Sequence, residues 1–542
     1  MSASAQPSPI RRIALLLVCG SISAWPLLAA NSQQGTTRDF QKTLQLGLNQ
    51  TVSIEHRFGE IRLHGENGRD VHIGATIHTQ ANTQEEAEKF AEQIRIEVEQ
   101  DASGIKVRTV YPDEHTWYVR IGKKPSYSVD YDIAVPGDAK LWIKNGFGNV
   151  DIRGVSGWAE VENGHGELAF RDGGSMKLTN SFGSVEANGA SGNVTVVNNN
   201  GSVNVSTVKG AVDVRDRFAS ITVSNVDGDV TISGGNGPVE LTDAGKSVVN
   251  NSFGSVNVRN IHGTLTVNNS NGAIDVNTVS SSAYLSGSFG SISFANVTGY
   301  VKCTASNGRV KGGPTGDEVY VKTTFGEVQL DQISGPVEVE DSNGNITVRE
   351  VKGKASFNTS FGSIEASDLR KGARATTGNG RISLSDIGGD TYAKTSFGAV
   401  TVQRVNGHLT IENSNGSVTA NSVKGDVGAR TSFGSVTLDD VAGAITVDDQ
   451  NGTVVVSTAR TSHGCKNITI KTSFAPIQVH IPEDAGFNLT ARTSFGHINS
   501  ELPITTSGQI GGDSLNGKIG NGGCALSLTN SNAAIELLKL SK

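Results

Sequence analysis

The chain has 542 residues, of which 66 are glycine and 12 proline, and only 18% are charged and 6% aromatic. This composition argues against a mainly helical protein and favours short strands joined by tight turns, because Gly, Asn, Ser, Thr and Val carry much of the chain. The net charge of −7, with no basic block in the sequence, argues against nucleic acid or an anionic membrane as a partner.

The N-terminal segment, residues 1–30, is predicted to be a signal peptide. Arg11 and Arg12 precede an apolar run, and the small residues Ala29 and Ala30 follow near a suitable cleavage site. The alternative is an uncleaved N-terminal anchor. That anchor would be the only contact of the chain with a membrane, because no other run is long and apolar enough to cross one. Either interpretation predicts a secreted, periplasmic or cell-surface protein.

Residues 37–140 are predicted to form a small α+β N-terminal cap. The segment 83–94 is typical of a helix with Thr83 as its N-cap, and strands are expected around 105–111 and 127–135. An open end of a stack of strands is an unpaired edge that promotes aggregation, so a covering element is expected there.

The next segment, residues 141–500, is dominated by an internal repeat. Phenylalanine recurs every 35 or 36 residues in a Ser/Thr-Phe-Gly-like context, at Phe182, Phe218, Phe253, Phe289, Phe325, Phe361, Phe397 and Phe433. An Asn-Gly pair lies about halfway between successive phenylalanines, from Asn200 to Asn451. The structural unit is therefore a coil of 18 residues in which Phe and Asn alternate at one position.

Each coil has the pattern of two short strands. In the coil that begins at Phe433, apolar residues fall into two pairs with a period of two, namely Val436 and Leu438, then Ile445 and Val447. Such pairs indicate strands whose apolar side chains point inward. A second glycine, Gly443 in this coil, marks the turn between the strands, where a positive φ is expected. The sequence therefore predicts an all-β fold, a parallel β-helix or β-solenoid of 18-residue coils.

The C-terminal part, residues 501–542, is predicted to be an irregular coil and cap. A glycine-rich stretch precedes a last coil-like segment that contains Leu526, Ile535 and Leu537. Cys465 and Cys524 both fall near one edge of the coil, where export would permit a disulfide. The sequence permits two alternatives for this pair, a disulfide or two separate thiols.

A further cysteine, Cys303, occupies an inward position and is expected to be a buried, unreactive side chain.

The repeated S-F-G-S-V and S-N-G-x-V units, the preceding signal peptide and the C-terminal L-S-L-T-N-S-N-A-A-I resemble the family of bacterial envelope proteins called putative adhesins. The resemblance covers about residues 40–542. It implies a parallel β-helix, and it implies no catalytic residues, because that family is a domain of unknown function without a catalytic motif. This chain has many more coils than the resemblance leads one to expect.

The alternating Phe and Asn position permits two interpretations. In the structural one, Asn forms a hydrogen-bonded ladder at a turn and Phe fills the corner. In the functional one, exposed rings stand in every second coil, ~9.6 Å apart, as a glycan-stacking column. The rings concerned would be Phe289, Phe325, Phe361, Phe397 and Phe433.

Other polar residues suggest no catalytic or metal site. The paired acids Asp439/Asp440 and Asp448/Asp449 are interpreted as solvated, since coils of constant length leave no loop to form a cleft around them. His72 and His78 can share a strand face, but no third ligand follows at metal-site spacing.

Three functions compete: a binding module such as an adhesin, a self-assembling envelope scaffold, and a polysaccharide lyase or hydrolase. The repetition favours a protein without catalysis, cofactor or metal. The expected partners are a glycan or a cell-surface protein, with self-association as a further option.

Overall fold

The computed structural model describes residues 34–112, 125–459, 465–506 and 513–540. The predicted signal peptide, residues 1–30, lies outside the described residues. Within them the chain forms a β-solenoid of two long sheets with one helix, which confirms the predicted fold class. Across this part of the chain, no helix combines the length and apolar character needed to span a bilayer.

In the N-terminal region, residues 34–112 and 125–136 form seven strands and the helix. They are β1 (Gln34–Gln45), β2 (Thr51–Glu55), β3 (Ile61–Glu66), β4 (Asp70–Ala81), α1 (Gln84–Gln93), β5 (Arg95–Asp101), β6 (Gly104–Val110) and β7 (Ser126–Pro136). The hydroxyl of Thr83 accepts a hydrogen bond from the amide of Glu86, so the predicted N-cap is confirmed.

The strands that follow alternate between the two sheets, with odd-numbered strands in sheet 1 and even-numbered strands in sheet 2. They are β8 (Lys140–Phe147), β9 (Val150–Arg153), β10 (Ala159–His165), β11 (Leu168–Gly173), β12 (Met176–Phe182), β13 (Val185–Ala190), β14 (Val194–Asn200), β15 (Val203–Val208), β16 (Val212–Asp216), β17 (Ile221–Val226), β18 (Val230–Gly234), β19 (Val239–Ala244), β20 (Ser247–Phe253), β21 (Val256–Ile261), β22 (Leu265–Asn271), β23 (Ile274–Val279), β24 (Ala283–Phe289), β25 (Ile292–Val297), β26 (Val301–Ala305), β27 (Val310–Gly312), β28 (Val319–Lys322), β29 (Val328–Ile333), β30 (Val337–Glu340), β31 (Ile346–Val351), β32 (Ala355–Asn358), β33 (Ile364–Leu369), β34 (Ala373–Thr376), β35 (Ile382–Ile387), β36 (Thr391–Lys394), β37 (Val400–Val405), β38 (Leu409–Glu412), β39 (Val418–Val423), β40 (Val427–Arg430), β41 (Val436–Val441), β42 (Ile445–Asp448), β43 (Val454–Thr458), β44 (Ile468–Lys471) and β45 (Ile477–Ile481).

In the C-terminal region, the described residues 487–506 and 513–540 add six strands. They are β46 (Phe487–Arg492), β47 (Ile498–Ser500), β48 (Ile504–Thr506), β49 (Ser514–Ile519), β50 (Cys524–Thr529) and β51 (Ile535–Lys539).

The core is a narrow column of apolar side chains between the two sheets. In the coil formed by β41 and β42, Val436, Leu438, Ile445 and Val447 are at most 1% exposed, as predicted. Consecutive coils pair in parallel with a register of 18 residues, so Val418 lies opposite Val436. Each inward side chain therefore packs between its equivalents in the coils above and below, and each coil depends on its neighbours for burial.

The turn between the two strands of a coil departs from expectation. The positive φ lies on a non-glycine residue, such as Asp440 at 55° or Arg404 at 54°, and not on the glycine. Glycine is needed at Gly443 because coils approach closely there: a Cβ atom would stand 2.2 Å from the carbonyl oxygen of Gly425. Close stacking, rather than backbone conformation, explains the repeated glycine of this turn.

The N-terminal end of the solenoid is covered. The coil formed by β2 and β3 stacks directly on the coil of β8 and β9, so the solenoid begins within residues 37–140. Beyond that first coil lie β6 and β7, then β4 and the edge strands β1 and β5. Side chains bridge the two edges: Lys42 Nζ donates to the carbonyl of Val98 (3.2 Å) and Gln100 Nε2 to that of Gln45 (2.7 Å). Helix α1 packs on β1 and β4.

At the C-terminal end, the coils do not stack in sequence order. The last coil of the chain, β50 and β51, lies between the coil of β44 and β45 and the coil of β46 and β47. It pairs in parallel with both neighbours in both sheets. Strand β49 then pairs antiparallel with β46 and with β48, so it covers the end of sheet 2.

Candidate functional site

The Phe and Asn position of successive coils lies at one corner of the solenoid, where the chain passes from sheet 2 to sheet 1. We call this row of side chains the aromatic column. In stacking order it comprises Phe58, Phe147, His165, Phe182, Asn200, Phe218, Asn236, Phe253, Asn271, Phe289, Asn307, Phe325, Asn343, Phe361, Asn379, Phe397, Asn415, Phe433, Asn451, Phe474, Asn532 and Phe495.

The phenyl rings of the column point outward. The five rings that the sequence singled out are 58–64% exposed, namely Phe289, Phe325, Phe361, Phe397 and Phe433. They do not fill the corner of the coil, because the side chains that line that corner belong to other residues, described below. The column is therefore a row of exposed apolar groups on an otherwise polar surface.

At the N-terminal end of the column, planar side chains stand in every coil. The rings of Phe58 and Phe147 are 5.4 Å apart, those of Phe147 and His165 4.4 Å, and those of His165 and Phe182 4.7 Å. The angles between neighbouring planes are 12–15°. These rings are therefore stacked face to face along the axis of the solenoid.

Further along, the asparagines of the column bind back to the preceding coil. The Nδ2 atom of Asn343 donates to the carbonyl of Thr324 at 3.0 Å, and that of Asn451 donates to the carbonyl of Ser432 at 3.0 Å. Asn415 makes the equivalent bond. Each amide is thus held against the backbone beside the ring of the coil before it.

A second, buried polar column supports the corner from inside, two residues before most of the rings and asparagines of the aromatic column. In the first half of the solenoid it consists mainly of asparagines. Asn180, for example, is 1% exposed and its Nδ2 donates to the carbonyls of Gly166 (3.2 Å) and Gly183 (2.9 Å). The side chain therefore satisfies turn carbonyls of two coils at once.

In the second half, threonine predominates in the buried column, and the hydrogen bond to the glycine of the same coil runs in the opposite direction. The hydroxyl of Thr377 accepts a hydrogen bond from the amide of Gly380 (3.2 Å) and donates to the carbonyl of Gly362 (2.9 Å). The hydroxyl oxygens of Thr359 and Thr395 likewise accept a hydrogen bond from the amide of the glycine three residues later. Asn413 offers the same acceptor oxygen to Gly416, whereas Gly234, Gly287 and Ala305 occupy this position without one.

Three aspartates occupy the buried column: Asp216, Asp341 and Asp449. Burial raises the pKa of each carboxyl, partly offset by backbone N–H bonds. In each, one carboxylate oxygen is buried without a hydrogen-bond partner. They lie in coils far apart along the solenoid, so they form no carboxylate pair.

The interpretation of the paired acids as solvated is wrong for one of the four. Asp449 is 2% exposed, because the period-two pattern of β42 continues past Val447 and turns Asp449 inward. Asp448 is exposed, and Asp439 and Asp440 each accept a hydrogen bond from the preceding coil.

His72 and His78 lie on the outer face of the antiparallel strand β4. His78 Nε2 is 3.3 Å from Asp130 Oδ2, and His72 Nδ1 is 3.1 Å from the hydroxyl of Thr43. Among the described residues, no three His, Cys, Asp or Glu side chains are placed to hold a metal ion.

Cys303 lies at the predicted inward position, and of the two alternatives left open for the C-terminal cysteines the structure has the disulfide. Cys465 and Cys524 are joined by a disulfide, with their Cα atoms 5.6 Å apart. The bond ties the first residue of β50 to the segment just before β44, and thus fixes the out-of-order coil to its neighbour. Cys303 is fully buried, and burial raises its pKa to about 12.

No protein-family model matches the chain, and no curated protein matches it. Among solved structures, it is similar to the crystal structure, at 1.95 Å resolution, of a putative cell adhesion protein from Clostridium sporogenes ATCC 15579. That similarity has a TM-score of 0.18 and 10% identity, and it covers 38% of this chain and 99% of that chain.

Proposed function

We propose that this chain is an exported surface protein that binds its partner along the aromatic column, in the manner of an adhesin, and that it catalyses no reaction. The observation that carries the proposal is the column itself. Apolar rings are exposed at one corner over most of the length of the solenoid, although exposed rings are normally disfavoured in a soluble protein. Aromatic side chains are also the residues that contribute most to binding interfaces.

The repetition of the site supports binding rather than catalysis. A catalytic site is one constellation held in one place by its own surroundings. Here the rings from Phe289 to Phe433 recur every two coils at 58–64% exposure, and the buried aspartates stand in separate coils. A repeated surface suits a repeated or extended partner, such as a glycan or a cell-surface protein, through multivalent contact.

An internal deletion tests this proposal. Removing residues 361–396 takes out one Phe coil and one Asn coil and joins Ser360 to Phe397, which is the position that Phe361 held. The rod should stay folded, because each coil contacts only its neighbours. Binding to glycan arrays or to whole cells should fall gradually, because several rings remain.

Two controls interpret the result. Circular dichroism shows whether the shortened rod is folded, and Tyr284→Ala removes an exposed aromatic side chain outside the column. Abolition of binding by the deletion, in a folded rod, would show a local site and contradict the proposal. Loss of binding on Tyr284→Ala would place the binding surface on sheet 2.

Export is the second part of the proposal. Arg11, Arg12 and the apolar run after them support it, as does the disulfide, since disulfides persist in oxidising compartments. Mass spectrometry of the protein recovered from a cell envelope fraction should find a mature chain that begins near residue 31. An intact N-terminus in the cytosolic fraction would contradict export.

A further inference from the structure

The alternation of Phe and Asn in the column is not a steric requirement of the fold. At the N-terminal end, four consecutive coils carry planar rings, Phe58, Phe147, His165 and Phe182, and their centroids stack at 4.4–5.4 Å. The corner therefore accepts an aromatic side chain in every coil. Elsewhere a ring stands only in every second coil, so packing within one molecule does not explain the spacing.

The alternation is kept in space even where the sequence breaks it. Phe474 and Phe495 follow each other along the chain with no Asn-Gly between them. In the structure the out-of-order coil inserts Asn532 between them, and its Nδ2 donates to the carbonyl of Ser473 at 3.0 Å. This bond is equivalent to the one that Asn451 Nδ2 donates to the carbonyl of Ser432. The property preserved is a ring spacing of two coils, ~9.6 Å.

The spacing leaves a slot between successive rings. We define a slot as the space above one asparagine of the column, between the phenyl rings of the two adjacent coils. Phe147, which is stacked on rings on both sides, is 45% exposed, whereas Phe397, between Asn379 and Asn415, is 64% exposed. Phe218 and Phe253, which also lie between asparagines, are 51% exposed, so the exposure of the rings is highest from Phe289 onwards. His165 fills the equivalent space between Phe147 and Phe182, so a space of this width holds one aromatic ring.

We propose that the slots receive the phenyl rings of a second copy of this chain, so that the columns of two antiparallel molecules interdigitate. This rests on the proposed function, since it names the partner of the aromatic column. A second copy has the same coil rise by construction, so its rings stay in step with the slots from Asn200 to Phe495, the part of the column in which rings and asparagines alternate. Any other repeating ligand would have to match that rise independently.

Symmetry sets the orientation of the two copies. A two-fold axis perpendicular to the solenoids, passing between a Phe coil and the next Asn coil in the middle of the alternating part, places the rings of that part of one column opposite the asparagines of the other. The resulting interface is isologous and closed, which is the common form of a homodimer. Two parallel copies related by a two-fold axis along the rods would instead place ring against ring.

The charge around the column permits this approach. Between Asn343 and Thr453, the residue before each ring or asparagine is Ser, Gly or Gln, and the residue two after it is Asn, Ser, Ala or Thr, with Arg381 as the exception. The outer face of sheet 2 instead carries charged pairs such as Lys394 with Glu412 at 2.9 Å. Two copies of a chain with net charge −7 thus meet along a stripe that is almost neutral.

The two ends of the solenoid offer less surface for association than the aromatic column does. Strand β1 and helix α1 cover the N-terminal end, and β49 covers sheet 2 at the C-terminal end. Association of copies is therefore expected side to side, along the column, rather than end to end.

Filling the slots from within tests the proposal. Asn379→Phe with Asn415→Phe places rings in every coil from Phe361 to Phe433, as the N-terminal run already does. The control is Thr419→Phe, which adds an exposed ring on the outer face of sheet 1, away from the column. Sedimentation velocity of the purified protein over a range of concentrations measures self-association of each.

The wild-type protein and Thr419→Phe should form dimers with the same affinity. The dimer of the slot-filled variant, Asn379→Phe with Asn415→Phe, should be at least about tenfold weaker. Stronger association of the slot-filled variant would show that exposed apolar surface alone drives contact, and would overturn the proposal. A wild-type protein that stays monomeric but binds glycans through the column would also overturn it, while the proposed function would stand. If column variants change neither dimerisation nor any other binding, both fail.

Discussion

The buried carboxyl of Asp449 is a weak point of the core, and its replacement by asparagine should stabilise the protein. Asp449 Oδ2 accepts one hydrogen bond, from the amide of Gly452 at 2.6 Å, while Oδ1 is buried without a partner. Two coils earlier, Asn413 occupies the same position. Its Oδ1 accepts from Gly416, and its Nδ2 donates to the carbonyls of Gly416 (2.6 Å) and Gly398 (3.1 Å).

Asp449→Asn therefore keeps an acceptor for Gly452, adds a donor for turn carbonyls and removes a charge that burial disfavours. At pH 7 the gain in the free energy of unfolding should be about 1–2 kcal/mol, the typical cost of a buried polar group left unpaired. Equilibrium urea unfolding, followed by circular dichroism, measures it.

The effect of Asp449→Asn on the free energy of unfolding should depend on pH. Burial raises the pKa of the folded Asp449 carboxyl above its usual value of 3.8. The wild-type protein is therefore penalised at pH values above the folded pKa, and the penalty disappears as pH falls below the unfolded pKa. The advantage of Asp449→Asn should be largest near neutral pH and vanish in acid.

The neighbouring Asp448 provides the matched control, because its side chain is 54% exposed beside Arg430. Asp448→Asn removes the same charge from the surface and should change stability by less than about 0.5 kcal/mol. If Asp449→Asn destabilises the protein, or its gain does not depend on pH, the account of the buried column is wrong.

Three further outcomes are expected. Val447→Asp should cost at least about 4 kcal/mol, because it buries a charge without a partner, whereas Thr446→Asp on the outer face should be near neutral, as urea unfolding can show. Burial lowers the pKa of His56 to about 4. The free energy of unfolding should therefore fall by about 3 kcal/mol as the pH is lowered from above 6.5 towards 4, because the buried imidazole must then take up a proton. Amide exchange in the first coil that does not change over this pH range would refute this. Replacing Cys465 and Cys524 by serine should speed amide exchange in β50 and β51, while other coils keep their rates.

The regular coil was predictable because its signal is local and repeated. Val436 and Leu438, like Ile445 and Val447, are two positions apart, so both members of each pair lie on the same face of their strand, and their apolar character turns that face inward. The repeat of 18 residues then fixes the register between coils. The burial of Asp449 follows from the same alternation extended by one step. The sequence contained this signal, but an aspartate at an inward position contradicts the usual preference of charged residues for solvent.

The outward direction of the aromatic column could not be predicted in this way. Its residues follow a turn, where the alternation of inward and outward side chains is interrupted, so parity along the strand says nothing about Phe397 or Asn415. What decides their direction is the buried residue two positions earlier. Thr395 binds the amide of Gly398 and the carbonyl of Gly380, and so occupies the inside of the corner.

The order of the last coils was beyond sequence reasoning for a different reason. Every coil presents nearly the same edge, so many stacking orders satisfy the same hydrogen bonds and bury the same kinds of side chain. The difference between orders lies in a few particular contacts. The disulfide between Cys465 and Cys524 and the bond from Asn532 to Ser473 both require the last coil to lie next to the coil of β44 and β45.

The same degeneracy bears on association between copies. Coils that can stack in several orders can also pair with coils of another molecule, so an exposed end would be a site of uncontrolled growth. The chain covers its N-terminal end with β1 and α1, and it fixes its last coil by a covalent bond. The aromatic column remains exposed along the side, with a spacing that intramolecular packing does not require. The contact that we propose between molecules therefore uses a surface where a register is defined.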